Sequence, residues 1–133
     1  MDNVRNLREA VGVKLGPPGG PRTMYLLVEP ERTGTNAVAM GIEDFDVGGS
    51  TPDHAHQHSD EIFFVISGVG RIVVDGRSQD VGPGDAIWIP RGARHQLLNT
   101  GSSVLRTTWT FVPAGPEQTL QPSGPDAGRH AGS

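Results

Sequence analysis

Nineteen glycines and eleven prolines are spread through 133 residues, and they divide the chain into pieces too short for long helices. The pieces between the breaks carry the marks of strands. Met24–Val28 is a compact apolar run, entered through the turn-rich GPPGGPR at 16–22. Val38, Met40 and Ile42 alternate with small or polar neighbours, the period of a half-buried strand. Ile62–Ile66, Arg71–Val74, Ala86–Ile89, Arg94–Leu98 and Val104–Val112 follow, each bounded by Gly, Pro, Asn or Ser. Only Val4–Ala10 reads as a helix, and a short one. Short strands separated by frequent turn signals predict an all-β sandwich or barrel with minimal helix.

The length suits one domain. Residues 1–22 read as an N-terminal extension, 23–113 as the barrel, and 114–133 as a flexible Pro/Gly-rich tail with Leu120 its only large aliphatic residue. His130 lies in that tail and is expected to play no part in a site. A net charge of −4 and a single lysine, Lys14, give no basic footprint for nucleic acid. No apolar run approaches the length of a membrane span, and the N-terminus makes a poor signal peptide, so a cytoplasmic protein is expected. The chain has no cysteine, so any metal must be held by nitrogen and oxygen.

Two blocks offer such ligands. The first runs Gly48-GSTPD-His54-A-His56-QHSD-Glu61-IFFVIS-Gly68, the second Gly84-DAIWI-Pro90-R-Gly92-AR-His95-QLL-Asn99. Four of the five histidines fall inside them. Residues two apart on a strand face the same way, about 7 Å apart at the backbone, so His54 and His56 present paired imidazoles. Glu61 opens the next strand. Phe63 and Val65 share its face, and Ile62, Phe64 and Ile66 take the other. With both faces apolar, this strand is expected to be buried on both, against the barrel interior and against a second sheet or partner subunit. Pro90 and Gly92 make the turn that delivers His95, with Leu97 and Asn99 on its face; Asn99 is expected to bond to backbone. HAHQH contains two overlapping pairs. The spacing to Glu61 and Gly68 favours His54 and His56 as ligands, leaving His58 in the turn or beside the site. Three imidazoles and a carboxylate around an incomplete coordination sphere suit one divalent transition metal.

The two blocks resemble the cupin signatures Gly-x5-His-x-His-x4-Glu-x6-Gly and Gly-x5-Pro-x-Gly-x2-His-x3-Asn, matching at every defined position. The short gap from Gly68 to Gly84 is similar to that of compact single-domain microbial cupins. The resemblance implies a double-stranded β-helix, a conical jelly-roll barrel with one iron, manganese, nickel, copper or zinc ion inside, held by His54, His56, Glu61 and His95. It also implies a homodimer, with Thr23–Val28 as the candidate exchanged strand.

The complete ligand set points to an enzyme acting on a small apolar or aromatic molecule. An oxygenase is the first expectation, with substrate and dioxygen at the two open metal positions and Glu61 dissociating to serve as a base. Redox-neutral cyclisation, isomerisation or decarboxylation is the alternative within enzymes, and a non-catalytic ligand-binding cupin is the alternative outside them. Phe63, Val65 and Leu97 are the expected pocket walls, with Trp88 or Trp109 as further candidates. Arg94 and Arg106 are candidate anion anchors, though surface positions suit them better.

Overall fold

A computed structural model describes residues 3–120 and 129–131. A 3₁₀ turn at Leu7–Glu9, closed by an Asn6–Glu9 capping box, stands where the short helix was expected. Ten strands follow: β1 (Val11–Leu15), β2 (Arg22–Val28), β3 (Ala39–Phe45), β4 (Asp60–Ser67), β5 (Gly70–Val74), β6 (Arg77–Val81), β7 (Ala86–Ile89), β8 (His95–Asn99), β9 (Leu105–Val112) and β10 (Arg129–Ala131). Among the described residues the one α-helix, α1 (Pro30–Thr33), is a single turn stopped by Gly34 in the left-handed conformation.

Seven strands form one antiparallel sheet in the order β10-β1-β2-β3-β9-β4-β7, and three form a second, β6-β5-β8. Their inner faces meet in one core that includes Val13, Leu15, Phe45, Phe63, Val65, Leu97, Leu105 and Trp109. Trp109 is fully buried, and its indole N–H donates to the Ile42 carbonyl at 3.1 Å. The alternation along β4 is as read from sequence: Glu61, Phe63 and Val65 point inward. The opposite face is not covered by a second sheet. Ile62, Phe64 and Ile66 lie at the surface, 38%, 43% and 43% exposed.

Three strands were not anticipated, the third being β10 in the stretch read as a flexible tail. Val11–Leu15, inside the stretch read as an extension, pairs along its length with β2 and places Val13 and Leu15 in the core. β6 is almost wholly solvent-exposed, so no hydrophobic period betrays it. Its signal is the Asp75-Gly76 turn, where both residues take positive φ (47° and 81°), the geometry of a two-residue hairpin. Beyond β9 the chain folds back through a 3₁₀ turn at Pro116–Thr119, and Leu120 packs against the core. The tail reading for 121–128 and 132–133 lies outside the described residues. The backbone of Arg129–Ala131 pairs with Val11–Val13.

Asn99 has the backbone role expected of it. Its Nδ2 donates to the carbonyls of Phe45, Asp46 and Ser103 at 2.9–3.0 Å, and its Oδ1 accepts from Gly101 N–H at 2.9 Å. These bonds anchor the end of β3 just before the first ligand block. Asn99→Ala orphans buried carbonyls and should cost about 2 kcal/mol. A urea midpoint unchanged from wild type would refute that role.

Candidate metal centre

The first ligand block is not a regular strand. Pro52 cannot donate to a ladder, and the segment meets β8 through isolated bridges, Ser50 opposite Leu98 and His54 opposite His95, rather than a continuous ladder. One side-chain and one backbone bond join them in between: Thr51 Oγ1 accepts from Leu97 N–H, and Thr51 N–H donates to Leu97 O, both at 3.0 Å. His54 and His95 exchange backbone bonds at 3.0 and 2.7 Å, so the two ligand segments are locked face to face. Gly92, at φ 84°, makes the turn before His95, and its N–H donates to His56 O at 2.7 Å. The histidine pair thus reaches the site through bonds to the other block.

His54, His56, Glu61 and His95 come together as expected, with one ligand atom from each lying within 4.8 Å of all the others. His95 Nε2 is 3.0 Å from Glu61 Oε1, and His56 Nε2 is 3.5 Å from the same oxygen. Two atoms each about 2.1 Å from one ion and at right angles to each other sit about 3 Å apart, so this spacing suits a shared metal. The ring orientations agree. His54 Nδ1 bonds Pro52 O and His95 Nδ1 bonds Ala93 O, which leaves each Nε2 free to bind inward. His56 Nε2 is buried with no hydrogen-bond partner. A cation satisfies that nitrogen and the Glu61 carboxylate together, so the residues fit a divalent metal.

The site electrostatics favour the ligating protonation states of His54 and Glu61. Burial, with the neighbouring His95, pushes His54 down to about 4. Burial alone raises Glu61, but the His56 and His95 rings facing it outweigh that and hold the carboxyl below its usual range. Burial lowers His95, and its bonds to Glu61 and Ala93 more than reverse this, so its pKa is raised. Bound metal takes the place of that proton.

Beside the ligands is a cavity of about 180 Å³, lined by Arg22, Met24, Glu43, Thr51, Phe111 and Leu120 among others. Phe63, Val65 and Leu97 face inward, but each is fully buried in the packed core and none lines this cavity. Period two settles the face; position along the barrel axis settles whether a side chain meets the void. Met24, Phe111 and Leu120 supply the apolar wall instead. Trp109 is core, and Trp88 lies on the outer surface, 63% exposed, with its N–H bonded to Asp60. His58 is exposed in the turn and lines a separate surface hollow with Pro113 and Gly115. Arg94 pairs with Asp53 at the surface, and Arg106 grips Asp44 through two bonds of 2.7 and 2.8 Å.

Sequence reading passed over a second charged pair. Arg22 of β2 and Glu43 of β3 are 8% and 2% exposed, and Arg22 Nε lies 3.2 Å from Glu43 Oε2 inside the barrel. Burial pushes Glu43 up to about 8; Arg22 opposes the rise and the charge of Glu61 adds to it. No signal marked it: the alternation of Val38, Met40 and Ile42 puts Glu43 on the opposite, polar face, whereas in the structure Ala39 and Phe45, on the parity of Glu43, face the main core and Ile42 joins a small separate cluster with Ala10 and Tyr25. Below pH 4.5 the group is protonated in both folded and unfolded chains. As pH rises from there towards 8, the unfolded chain releases a proton that the folded one keeps, so this group's contribution to stability declines. In metal-free protein, Glu43→Gln should gain on wild type by on the order of a few kcal/mol across that window. Parallel pH profiles from urea unfolding would contradict this.

Comparison with known proteins agrees with the geometry. The cupin domain family matches residues 41–111. The chain is 27% identical over 94 residues to tetracenomycin polyketide synthase protein TcmJ of Streptomyces glaucescens, covering 71% of this chain and 63% of that protein. It is 46% identical over 55 residues to the 5-aminosalicylate 1,2-dioxygenase of a Comamonas species, covering 41% of this chain and 15% of that enzyme. The structure of the polyketide cyclase RemF from Streptomyces resistomycificus superposes with a TM-score of 0.73 at 25% identity, covering 87% of this chain and 82% of that one. With the barrel, the ligand cluster and a family match over more than half its length, this chain belongs to the cupin family.

Proposed function

We propose that this protein is a metal-dependent enzyme acting on a small aromatic or enolised molecule, and that the reaction is an oxygenation. The observation that carries the reading is the four-ligand cluster opening onto a cavity of about 180 Å³ with an apolar wall. A cavity of about 150 Å³ holds benzene, so this volume suits one substituted ring or a short chain. When bound, a redox-active metal in such a ligand set supplies Lewis acidity and electron transfer. The chain's own part is to hold three neutral imidazoles and one carboxylate in place, to keep water from the inner wall through Met24, Phe111 and Leu120, and to offer Glu61 as a proton acceptor. The likeness to the dioxygenase supports the oxygenase reading over the ligand region.

A redox-neutral cyclisation or isomerisation is the second reading, favoured by the longer coverage of the polyketide-associated relatives. An oxygen electrode separates them. Protein reconstituted in turn with iron(II), manganese(II), nickel(II), copper(II) and zinc(II) is offered catechols, salicylates and 1,3-diketones. Oxygen uptake with a redox-active metal and none with zinc is expected. Product formation with zinc and no oxygen uptake transfers the assignment to the second reading, and binding without turnover overturns both.

We place a homodimer contact on the outer face of the sheet, where Ile62, Phe64, Ile66 and Trp88 are exposed together. Thr23–Val28 lies within β2, whose two edges are occupied by β1 and β3 of the same chain. Phe64→Glu should convert the dimer to monomer in sedimentation velocity; an unchanged dimer places the contact elsewhere. Among the described residues, no helix is long and apolar enough to cross a membrane.

A further inference from the structure

We infer that Arg22, paired with Glu43, is a carboxylate anchor in the cavity that the candidate metal ligands also line, and that the molecule taken by this cavity carries a carboxylate group. The inference rests on the cavity being the substrate site, as proposed above, and adds the class of substrate. Both residues line the same void as His54, His56 and Glu61. An arginine that is 8% exposed inside a barrel requires a reason, because a buried guanidinium loses hydration that structure must replace.

The protein replaces only part of it. Arg22 Nη1 donates to Gly20 O at 3.1 Å and to Gly16 O at 3.4 Å. Nε lies near Glu43 but makes no well-directed hydrogen bond, although it is buried. Nη2 has no bond to any described residue. A guanidinium is planar and remains charged, and its N–H groups match a carboxylate in shape and sign. The backbone holds Arg22 rigidly: it sits in β2 opposite Phe45 of β3, and its flanking turn is tied down by Gly20 N–H bonding to Ser50. Glu43 is the positioning residue. Buried beside Arg22 with its Oε2 3.2 Å from Nε, it restricts where the guanidinium can sit.

The cavity that this pair lines has apolar wall residues, Met24, Phe111 and Leu120, and His54, His56 and Glu61 line it as well. A small acid therefore meets three surfaces, with its carboxylate on Arg22, its hydrocarbon part on the apolar wall and its remaining oxygen towards the metal. Arg94 and Arg106, the anchors suggested by sequence, are paired outside the cavity. Arg22 is the guanidinium that lines it among the described residues.

The test uses the full chain, both metal-free and zinc-loaded, with benzoate and its neutral counterpart benzamide as probes in titration calorimetry. Wild type should bind benzoate at least tenfold more tightly than benzamide in both forms. The double variant Arg22→Gln with Glu43→Gln replaces the guanidinium and its carboxyl partner together and leaves no buried ion at this position. It should lose the benzoate preference while keeping its benzamide affinity and zinc content. A wild type without the preference, or a double variant that retains it, overturns the anchor. Should the double variant not fold, the guanidinium ¹⁵N–¹H resonances of Arg22 in wild type decide: they shift with benzoate and not with benzamide, or the anchor is wrong. The two readings fail separately. Protein that binds no metal yet prefers benzoate keeps the anchor and sinks the metalloenzyme, and the reverse pattern does the opposite.

Discussion

His95→Ala is expected to strip the protein of metal while leaving the barrel folded. His95 is 1% exposed, and its Nδ1 is committed to Ala93 O, so its Nε2 is aimed at the Glu61 carboxylate with little freedom. Removing a group that merely orients a ligand costs about 10–100-fold in metal affinity, so losing a ligand should cost at least about a hundredfold. The variant also deprives Glu61 of its closest partner in a buried setting. Metal analysis after dialysis should find close to one ion per wild-type chain and almost none in the variant. Thermal unfolding gives an independent reading. A ligand at a hundred times its Kd adds about 2.7 kcal/mol to stability, so added metal should raise the wild-type Tm and leave the variant's unmoved. Equal metal content in the two proteins would exclude His95 as a ligand.

Trp109→Ala should produce the largest loss of fold stability. The side chain is fully buried between the sheets, packs at 5.4 Å centroid distance against Phe111, and fills the space over Gly41, where any Cβ would collide with it and with the Tyr25 carbonyl. Truncating such a residue typically costs about 3–5 kcal/mol. Its hydrogen bond to Ile42 O is lost as well. Total stability in domains of this kind is about 5–15 kcal/mol, so much of the margin disappears. Phe111 lines the cavity, and a loosened Phe111 should also weaken benzamide binding. A urea midpoint within experimental error of wild type would show that the site relaxes to fill the gap.

Several features were legible in the residues because they depend on local periodicity or on fixed spacing. Period two along Glu61–Ile66 placed Glu61 inward, and the backbone keeps that alternation whatever surrounds it. Pro90 and Gly92 marked the turn before His95, and Asn99 the strand end, because each serves a backbone need that few other residues meet. The exposed β6 was missed because an edge strand that buries nothing carries no hydrophobic signal. β1 was missed because a five-residue strand gains its meaning from pairing with β2, and pairing is not visible in one segment.

The ligand set shows the same division. Residue type and spacing singled out His54, His56, Glu61 and His95, and the fold gathered them within 4.8 Å. Which inward residues meet empty space was a different question. Phe63, Val65 and Leu97 have the correct parity and are sealed in the core, whereas Met24, Phe111 and Leu120 reach the void. Arg22 and Glu43 stand 21 residues apart on neighbouring strands, and only their register brings them together beside the ligands. Sequence by itself determined the strand-rich fold, the candidate metal ligands and the turns that deliver them, since these follow from backbone geometry and donor chemistry at short range. The cavity, its charged pair and its apolar wall were decided by tertiary structure, because a void is defined by how distant strands pack.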